Sequence, residues 1–494
     1  MDTRQLPAFL PARQPPEVKV WEMYHKLQHV RVRKAAGPDN ITGRLIKEFA
    51  YELSHPLTMI LNTSLAEGRV PREWHEANVI PLPKTNPPSL SDLRPISLTS
   101  LLSKTCESFI AKWILADITP HVDPRQFGGI PGRSTTHCLV DILNQLSKTS
   151  DQRDTISSLV LTDFAKAFDR IDHTTAILSL IELGCRPSLL PWLSDFLTGR
   201  KQRTAYKGSL SEWRTLTCGL PQGTVLAPIV FVAVINSAAS DARSDHWKFV
   251  DDLNMMESRQ IRQQSNLQQD LDALDAWTSK SHMQLHPNKC KVMHFFFTRT
   301  PPPLPSLQLA GHTLQEVTVA RLLGVWLQSN LKWDSHVTHM VKQSGKRLFI
   351  LRRLKMFRVP ELDLVTIYTC YVRPICEYAV PVWNPGLTKN QSSRLETIQR
   401  RACRIILGKK YTHYSEALTQ LGLPTLESRR EQLCKKFGLK LLKSAFRDWL
   451  PQSRGEASGR LTRSSHKLNS IYTRTERYRN SPIPYITTVL NKEL

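Results

Sequence analysis

Phe249-Val250-Asp251-Asp252-Leu253-Asn254-Met255-Met256 is the stretch on which the fold of this chain turns. Two adjacent carboxylates stand between two apolar runs. The pattern predicts a β-hairpin with both acids at its tip. Neighbouring carboxylates repel, so the pair is costly unless a cation lies beside it. Alone, it reads far more readily as a solvated turn, because Asp is a common turn residue. An acidic site upstream decides the matter. Ser157-Ser158-Leu159-Val160-Leu161-Thr162 has the composition of a strand and runs into Asp163, after which the chain turns into a helix. Between the two sites lies a compact turn, Cys218-Gly219-Leu220-Pro221-Gln222-Gly223-Thr224, followed by an apolar helix over 225–235. If the two strands are neighbours in one sheet, Asp163, Asp251 and Asp252 converge. Such a cluster suits two divalent cations, one lowering the pKa of an attacking hydroxyl and the other clamping triphosphate oxygens. Oxygen ligands favour Mg²⁺, with Mn²⁺ as an alternative.

Composition narrows the setting. The chain has 494 residues, of which 40% are hydrophobic, as expected for a globular protein with a large core. Lys and Arg total 67 against 43 acids, a formal charge of +24, which points to a polyanionic partner such as nucleic acid. Nine cysteines are scattered without a CxxC pair, and no apolar signal segment opens the chain. An intracellular location, nucleus or cytoplasm, is expected, with no membrane partner. The apolar run 225–235 is too short to span a bilayer and contains Pro228, so it predicts a buried helix.

Other stretches are less specific. Gln126-Phe127-Gly128-Gly129-Ile130-Pro131-Gly132-Arg133 opens a helix. Its amides and Arg133 could hold a phosphate, although an ordinary helix entry explains it as well. His282, His286, Cys290 and His294 recur every four residues and are candidate zinc ligands, but Pro287 interrupts any helix through them. Residues 394–410 form a helix with Leu395, Ile398, Ala402, Ile405 and Ile406 as its apolar stripe. Arg400, Arg401, Arg404, Lys409 and Lys410 lie off that stripe, on a face that is either solvated or phosphate-contacting.

Taken in order, these stretches resemble the reverse transcriptases of non-LTR retrotransposons, of the jockey-like type. The matching segments are Gly37-Pro38-Asp39, Leu93-Arg94-Pro95-Ile96-Ser97-Leu98, Gln126-Phe127-Gly128, Asp163-Phe164-Ala165-Lys166-Ala167-Phe168-Asp169, Leu220-Pro221-Gln222-Gly223, Phe249-Val250-Asp251-Asp252, Asn288-Lys289, Leu323-Gly324 and Tyr371-Val372-Arg373-Pro374. The resemblance runs from about residue 34 to 410. It implies an α+β, right-hand polymerase with fingers, a palm built on an antiparallel sheet, a thumb, and a helical basic C-terminal region. By the same resemblance Asp163, Phe164, Asp251 and Asp252 hold the metals. Asp163, Asp251, Asp252 and Lys289 are catalytic, Lys289 as the proton donor to pyrophosphate. Lys84, Arg94, Phe164, Phe168, Gln222 and Gly223 contact nucleotide or template. Phe168 stands where the family keeps an aromatic ring against the sugar, so deoxynucleotides are favoured. Leu323-Gly324 corresponds to a primer-gripping turn. The implied activity is RNA-directed DNA synthesis, with an RNA template, a DNA primer and dNTPs as partners.

The expected organisation is a flexible leader over 1–33, fingers and palm over 34–328 with the signature-bearing core at about 64–328, a helical thumb and C-terminal region over 329–450, and a basic, disordered tail over 451–494. Gly129-Ile130 departs from the family's usual Phe-Arg, Val250 from the commoner alanine, and Phe249 from the commoner tyrosine. Family members also carry an endonuclease domain ahead of the polymerase. So little sequence precedes the match that a separate endonuclease is expected as a partner. A second reading keeps only nucleic-acid binding, in a truncated remnant that no longer polymerises.

Overall fold

A computed structural model describes residues 14–83, 87, 93–298, 304, 306–459 and 463–493. It is a mixed α+β structure organised on a five-stranded sheet. The strand order is Gln315–Glu316, Lys291–Phe296, Thr155–Leu161, Asp252–Gln260 and Asp245–Phe249. All neighbours are antiparallel except the short first strand, which runs parallel to 291–296. The central strand 155–161 is covered on both faces. Val160, Leu253, Met255 and Val292 pack into one buried cluster, and Leu159, Met256, Met293 and Phe295 into the other. That two-sided burial explains why Leu159-Val160-Leu161 is apolar at three successive positions rather than alternating.

The helix Ala227–Ile235 lies under the first face. All of its residues but Pro228 are buried, in accord with the sequence. Among the described residues no helix is long and apolar enough to cross a membrane. The other face receives the helix Thr135–Ser150 and the C-terminal helices. A second sheet pairs Glu76–Pro83 with Leu93–Leu98 antiparallel and with Lys201–Tyr206 parallel. The helix Lys389–Leu407 buries Leu395, Ile398, Ala402 and Ile406 and leaves Arg401 and Arg404 exposed; Lys409 and Lys410, also exposed, lie in the turn Gly408–Lys410 that follows it.

Both chain ends carry a packed helix within the segments expected to be a flexible leader and a disordered tail. Within 1–33, Val20–Gln28 forms a helix that packs on Ala50–Glu67, with Met23 and Leu27 fully buried. Asn62 fastens the segment before it, accepting from Val18 N and donating to Val18 O, both at 3.0 Å. Within 451–494, the helix Pro482–Asn491 packs on Leu426–Leu441 and on 135–150, burying Ile483, Ile486 and Leu490. Gly438 permits that approach, since a Cβ there would stand 2.7 Å from Ile486 Cγ2. Asp151 anchors the chain just before this helix, accepting from the backbone of Arg474 (2.8 Å) and Thr475 (2.7 Å). A basic composition therefore coexists with an ordered, docked end, because three apolar side chains at helical spacing suffice to seat it.

Candidate active site

Strand 155–161 and strand 252–260 bring the acids together. Their ladder reaches Leu161↔Asn254, and Thr162 donates to Leu253 O through its amide (3.2 Å) and its hydroxyl (2.6 Å). One residue further on, Asp163 faces Asp252. The hairpin differs in detail from the sequence reading. Its turn is Val250-Asp251, and Asp252 opens the returning strand opposite Phe249. Val250 has φ +57°. A β-branched residue in that region is strained by roughly 1–2 kcal/mol. The turn is thus held rather than relaxed.

What holds it is the Gln126-Phe127-Gly128 segment. It runs alongside strand 245–249, with Phe127 N donating to Lys248 O (2.7 Å) and Lys248 N to Arg125 O (3.0 Å). The fully buried Gln126 accepts from Gly128 N (3.0 Å) and Val250 N (3.3 Å). Behind it, Lys248 is fully buried and donates to Asp123 Oδ2 (2.7 Å) and Asn236 O (2.6 Å); His246 shares the Asp123 carboxyl at 2.7 Å. Burial opposes the Asp123 charge, but the His246 and Lys248 contacts outweigh it and hold the carboxyl well below its ordinary range. Arg133 turns back onto its own loop through Nη1. It donates to the carbonyls of Asp123 (3.1 Å), Pro124 (2.8 Å) and Gln126 (2.6 Å), so it ties the loop closed.

The electrostatics fit a cation. Asp251 and Asp252 are accessible from solvent, yet Asp252 is recessed among neighbouring atoms. That desolvation, together with the charges of Asp251 and Asp163, pushes its carboxyl up to about 6. Asp163 Oδ2 is shielded and receives no hydrogen bond, although Lys289 Nζ stands 3.3 Å away. Three repelling carboxylates and an orphaned oxygen are what a divalent ion would satisfy. Among the described residues, no three His, Cys, Asp or Glu side chains form a closed ligand cluster. The zinc quartet disperses accordingly: His294 Nδ1 bonds Ser158 Oγ (2.8 Å), while Cys290 Sγ lies against the Asp163 backbone (3.4 Å to its N).

The other candidates fall into place around the acids. After Asp163 the chain pairs with 284–286, through His286 N to Asp163 O (2.7 Å) and Ala165 N to Gln284 O (2.8 Å). This pairing brings Lys289 to Asp163. Phe164 is buried edge-on to Trp277 and turned into the core, leaving only its backbone at the site. Phe168 is half-buried and stacks on Phe231 at 4.5 Å between centroids. Phe168 O accepts from Leu220 N (2.7 Å), and Gln222 Nε2 donates to Asp169 Oδ1 (2.9 Å). Gln222 O in turn accepts from Ser97 N (2.7 Å), three residues from the exposed Arg94. Gly223, at φ +128°, sits so close to Ser97 O that a Cβ would collide with it. Lys84 lies outside the described residues.

Asp169, Gln126, Lys248 and Tyr378 carry structural parts that sequence reasoning assigned to no residue. Tyr378 braces the turn between Val319–Leu322 and Val325–Gln328, where Leu323 and Gly324 both have positive φ; its hydroxyl donates to Leu323 O (2.7 Å). Its only signal in the sequence was its place in Tyr371-Val372-Arg373-Pro374-Ile375-Cys376-Glu377-Tyr378, the full stretch that resembles the family there.

The same region is similar in sequence to known proteins. The family model described as "Reverse transcriptase (RNA-dependent DNA polymerase)" matches residues 82–327. The chain is 26% identical over 430 residues to a probable RNA-directed DNA polymerase from transposon BS of Drosophila melanogaster, covering 83% of this chain and 47% of that protein. It is also 26% identical over 438 residues to the RNA-directed DNA polymerase from mobile element jockey of Drosophila funebris, covering 85% and 47%. The chain thus spans about half the length of the relatives it matches. Through residues 82–327, which carry the acidic hairpin and every strand of the sheet beneath it, this chain belongs to the reverse transcriptase family, among the polymerases of non-LTR retrotransposons.

Proposed function

We propose that this chain is an RNA-directed DNA polymerase, extending a primer 3′-hydroxyl with dNTPs on an RNA template. The observation that carries the reading is the facing of Asp163 by the Asp251-Asp252 hairpin across one antiparallel ladder. In this reading the five-stranded sheet is the palm, the 76–98 sheet part of the fingers, and the helices after residue 329 the thumb. Asp163, Asp251 and Asp252, with the backbone of Phe164, would hold the metal ions. Those ions, when bound, would neutralise the triphosphate and activate the attacking hydroxyl. Arg94 offers a planar, permanently charged fork to phosphate oxygens, and Lys84 assists it. Lys289, which stands beside Asp163, hands a proton to the leaving pyrophosphate. Gln222 and Gly223 border the nucleotide and template, where the missing side chain of Gly223 lets backbone come close. The net charge of +24 suits a polyanionic substrate.

Primer extension on an RNA template tests the reading. Purified protein with Mg²⁺ should incorporate dNTPs, lose activity on chelation, and recover it on re-addition of Mg²⁺ or Mn²⁺. Salt-dependent RNA binding with no incorporation under any of these ions would favour a polymerase-inactive remnant instead.

Phe168 gives a second test. Its ring is pinned by the stack on Phe231 and by the Leu220 hydrogen bond to its own carbonyl, so it presents a fixed edge rather than a mobile one. Phe168→Ala should raise ribonucleotide incorporation relative to dNTP by at least about tenfold, the scale on which one steric contact discriminates between substrates. Unchanged discrimination, measured as the ratio of kcat/KM values, would remove Phe168 from this role.

A further inference from the structure

Glu107 sits in the middle of the helix Leu101–Ile118 and is fully buried. A fully buried carboxylate away from the acidic cluster needs a reason. Its partners supply one. Glu107 Oε2 accepts from Val225 N (2.7 Å) and from Leu226 N (3.3 Å), and Oε1 accepts from Ser103 Oγ (3.1 Å). Those two amides directly precede the helix Ala227–Ile235 and would otherwise be unpaired donors in the interior. The carboxylate also faces the positive end of that helix. A second buried charge lies within range. The Arg200 guanidinium donates to Phe196 O (3.0 Å) and Trp74 O (3.3 Å) rather than to Glu107, so its charge acts on the carboxylate without a direct bond. Burial raises the Glu107 carboxyl, and the amides, Ser103 and Arg200 oppose that rise.

The residues before Val225 are the turn that borders the acidic site. Pro221 O accepts from the Thr224 hydroxyl (3.1 Å), Gln222 O from Ser97 N, and Gly223 abuts Ser97 O. Ser97 ends in the short connection to the helix that carries Glu107, whose own start is capped by Ser100. The strand bearing Arg94, the helix bearing Glu107 and the turn bearing Gln222 therefore form one closed loop of contacts. Glu107 is the member of the loop that grips the turn from its C-terminal side.

We propose that Glu107 is a positioning residue for the nucleotide-bordering turn: its buried carboxylate fixes the Val225 and Leu226 amides, and through them sets where Gln222 and Gly223 stand relative to Arg94 and Phe168. The proposal rests on the polymerase reading for its functional consequence, but its structural core does not. Glu107→Ala removes the acceptor. Glu107→Gln keeps one acceptor oxygen for Val225 N and can donate to Ser103. Ile114→Ala, a fully buried position about two turns further along the same face of the helix, serves as a control for generic destabilisation.

Two measurements are made on the full-length chain. In hydrogen exchange, Glu107→Ala should lose protection at 219–226 while Ile114→Ala retains it, and Glu107→Gln should fall between. Unchanged exchange at 219–226 in Glu107→Ala overturns the proposal whatever the enzyme does. In primer extension at matched folded fraction, Glu107→Ala should raise the KM for dNTP by about tenfold or more, the scale of losing hydrogen bonds to a charged group. The effect on kcat should be smaller, and Glu107→Gln should recover most of the loss. A KM in Glu107→Ala no different from that of Ile114→Ala also overturns it. If wild type incorporates nothing, the polymerase reading fails, and the exchange result alone decides the fate of the Glu107 assignment.

Discussion

Asp251→Asn is expected to lower nucleotide incorporation by at least ~10²–10³-fold while leaving the protein folded. That is the usual scale for removing one group that stabilises charge in the transition state. Asn is nearly isosteric with Asp, and residue 251 is exposed at the second position of the turn, so no packing is lost. The substitution also removes one of the charges that raise the Asp252 carboxyl. In metal-free buffer the variant should therefore unfold no more readily than wild type. Titration with Mg²⁺ separates the roles further. A cation bound by the native cluster stabilises it by mass action, so the thermal midpoint of wild type should rise with Mg²⁺. In Asp251→Asn that rise should shrink or vanish. Equal incorporation by the variant and wild type would sink the assignment of Asp251 to the metal cluster.

The acidic hairpin and the strand before Asp163 were legible because each rests on local pattern: an apolar run, a turn, and an acid at the end of it. The helix 227–235 was legible for the same reason, being apolar all round. What holds these pieces in place was not. Lys248 looks like a solvated charge within Asp245-His246-Trp247-Lys248-Phe249, and only the approach of Asp123, far away in sequence, makes its burial tolerable. Glu107 is hidden in the same way, since its partners Val225 and Leu226 offer only backbone amides, which carry no side-chain signature. The conformation of Val250 could not be read either, because a valine prefers the opposite sign of φ and is overruled by its neighbours. The docked C-terminal helix is a different case. Ile483, Ile486 and Leu490 lie at helical spacing, but the surrounding arginines dominated the reading. The every-fourth spacing of the His and Cys residues at 282–294 carries little weight for the reason the sequence already shows: spacing creates a ligand set only within one continuous helix, and here the chain passes Pro287 into a strand.

The clamp on Val250 makes Gly128 the second position of large effect. A Cβ on Gly128 would stand 2.5 Å from Val250 N and 2.9 Å from Phe249 C, both backbone atoms of the hairpin that carries Asp251. Backbone cannot rotate out of the way as the end of a side chain can. Gly128→Ala must therefore push the hairpin from the Gln126 segment, weakening the bond from Val250 N to Gln126 and relaxing a turn that is held under strain. The stability cost should be about 1–3 kcal/mol, the range for overpacking a close contact. The larger consequence is positional. A shift of roughly 1 Å in a reacting group can cost on the order of 10²-fold in rate, and here the shifted element carries two of the three carboxylates. Gly132→Ala in the same loop is the matched control. Gly132 has φ +81°, so alanine there is strained, but its Cβ meets nothing within 4 Å. That variant should lose about 1 kcal/mol of stability and keep its activity. Denaturant midpoints and primer-extension rates on the two proteins decide the point. If Gly128→Ala extends primers as wild type does, or if Gly132→Ala loses as much activity, the Gln126-Phe127-Gly128 segment does not set the position of the acidic hairpin.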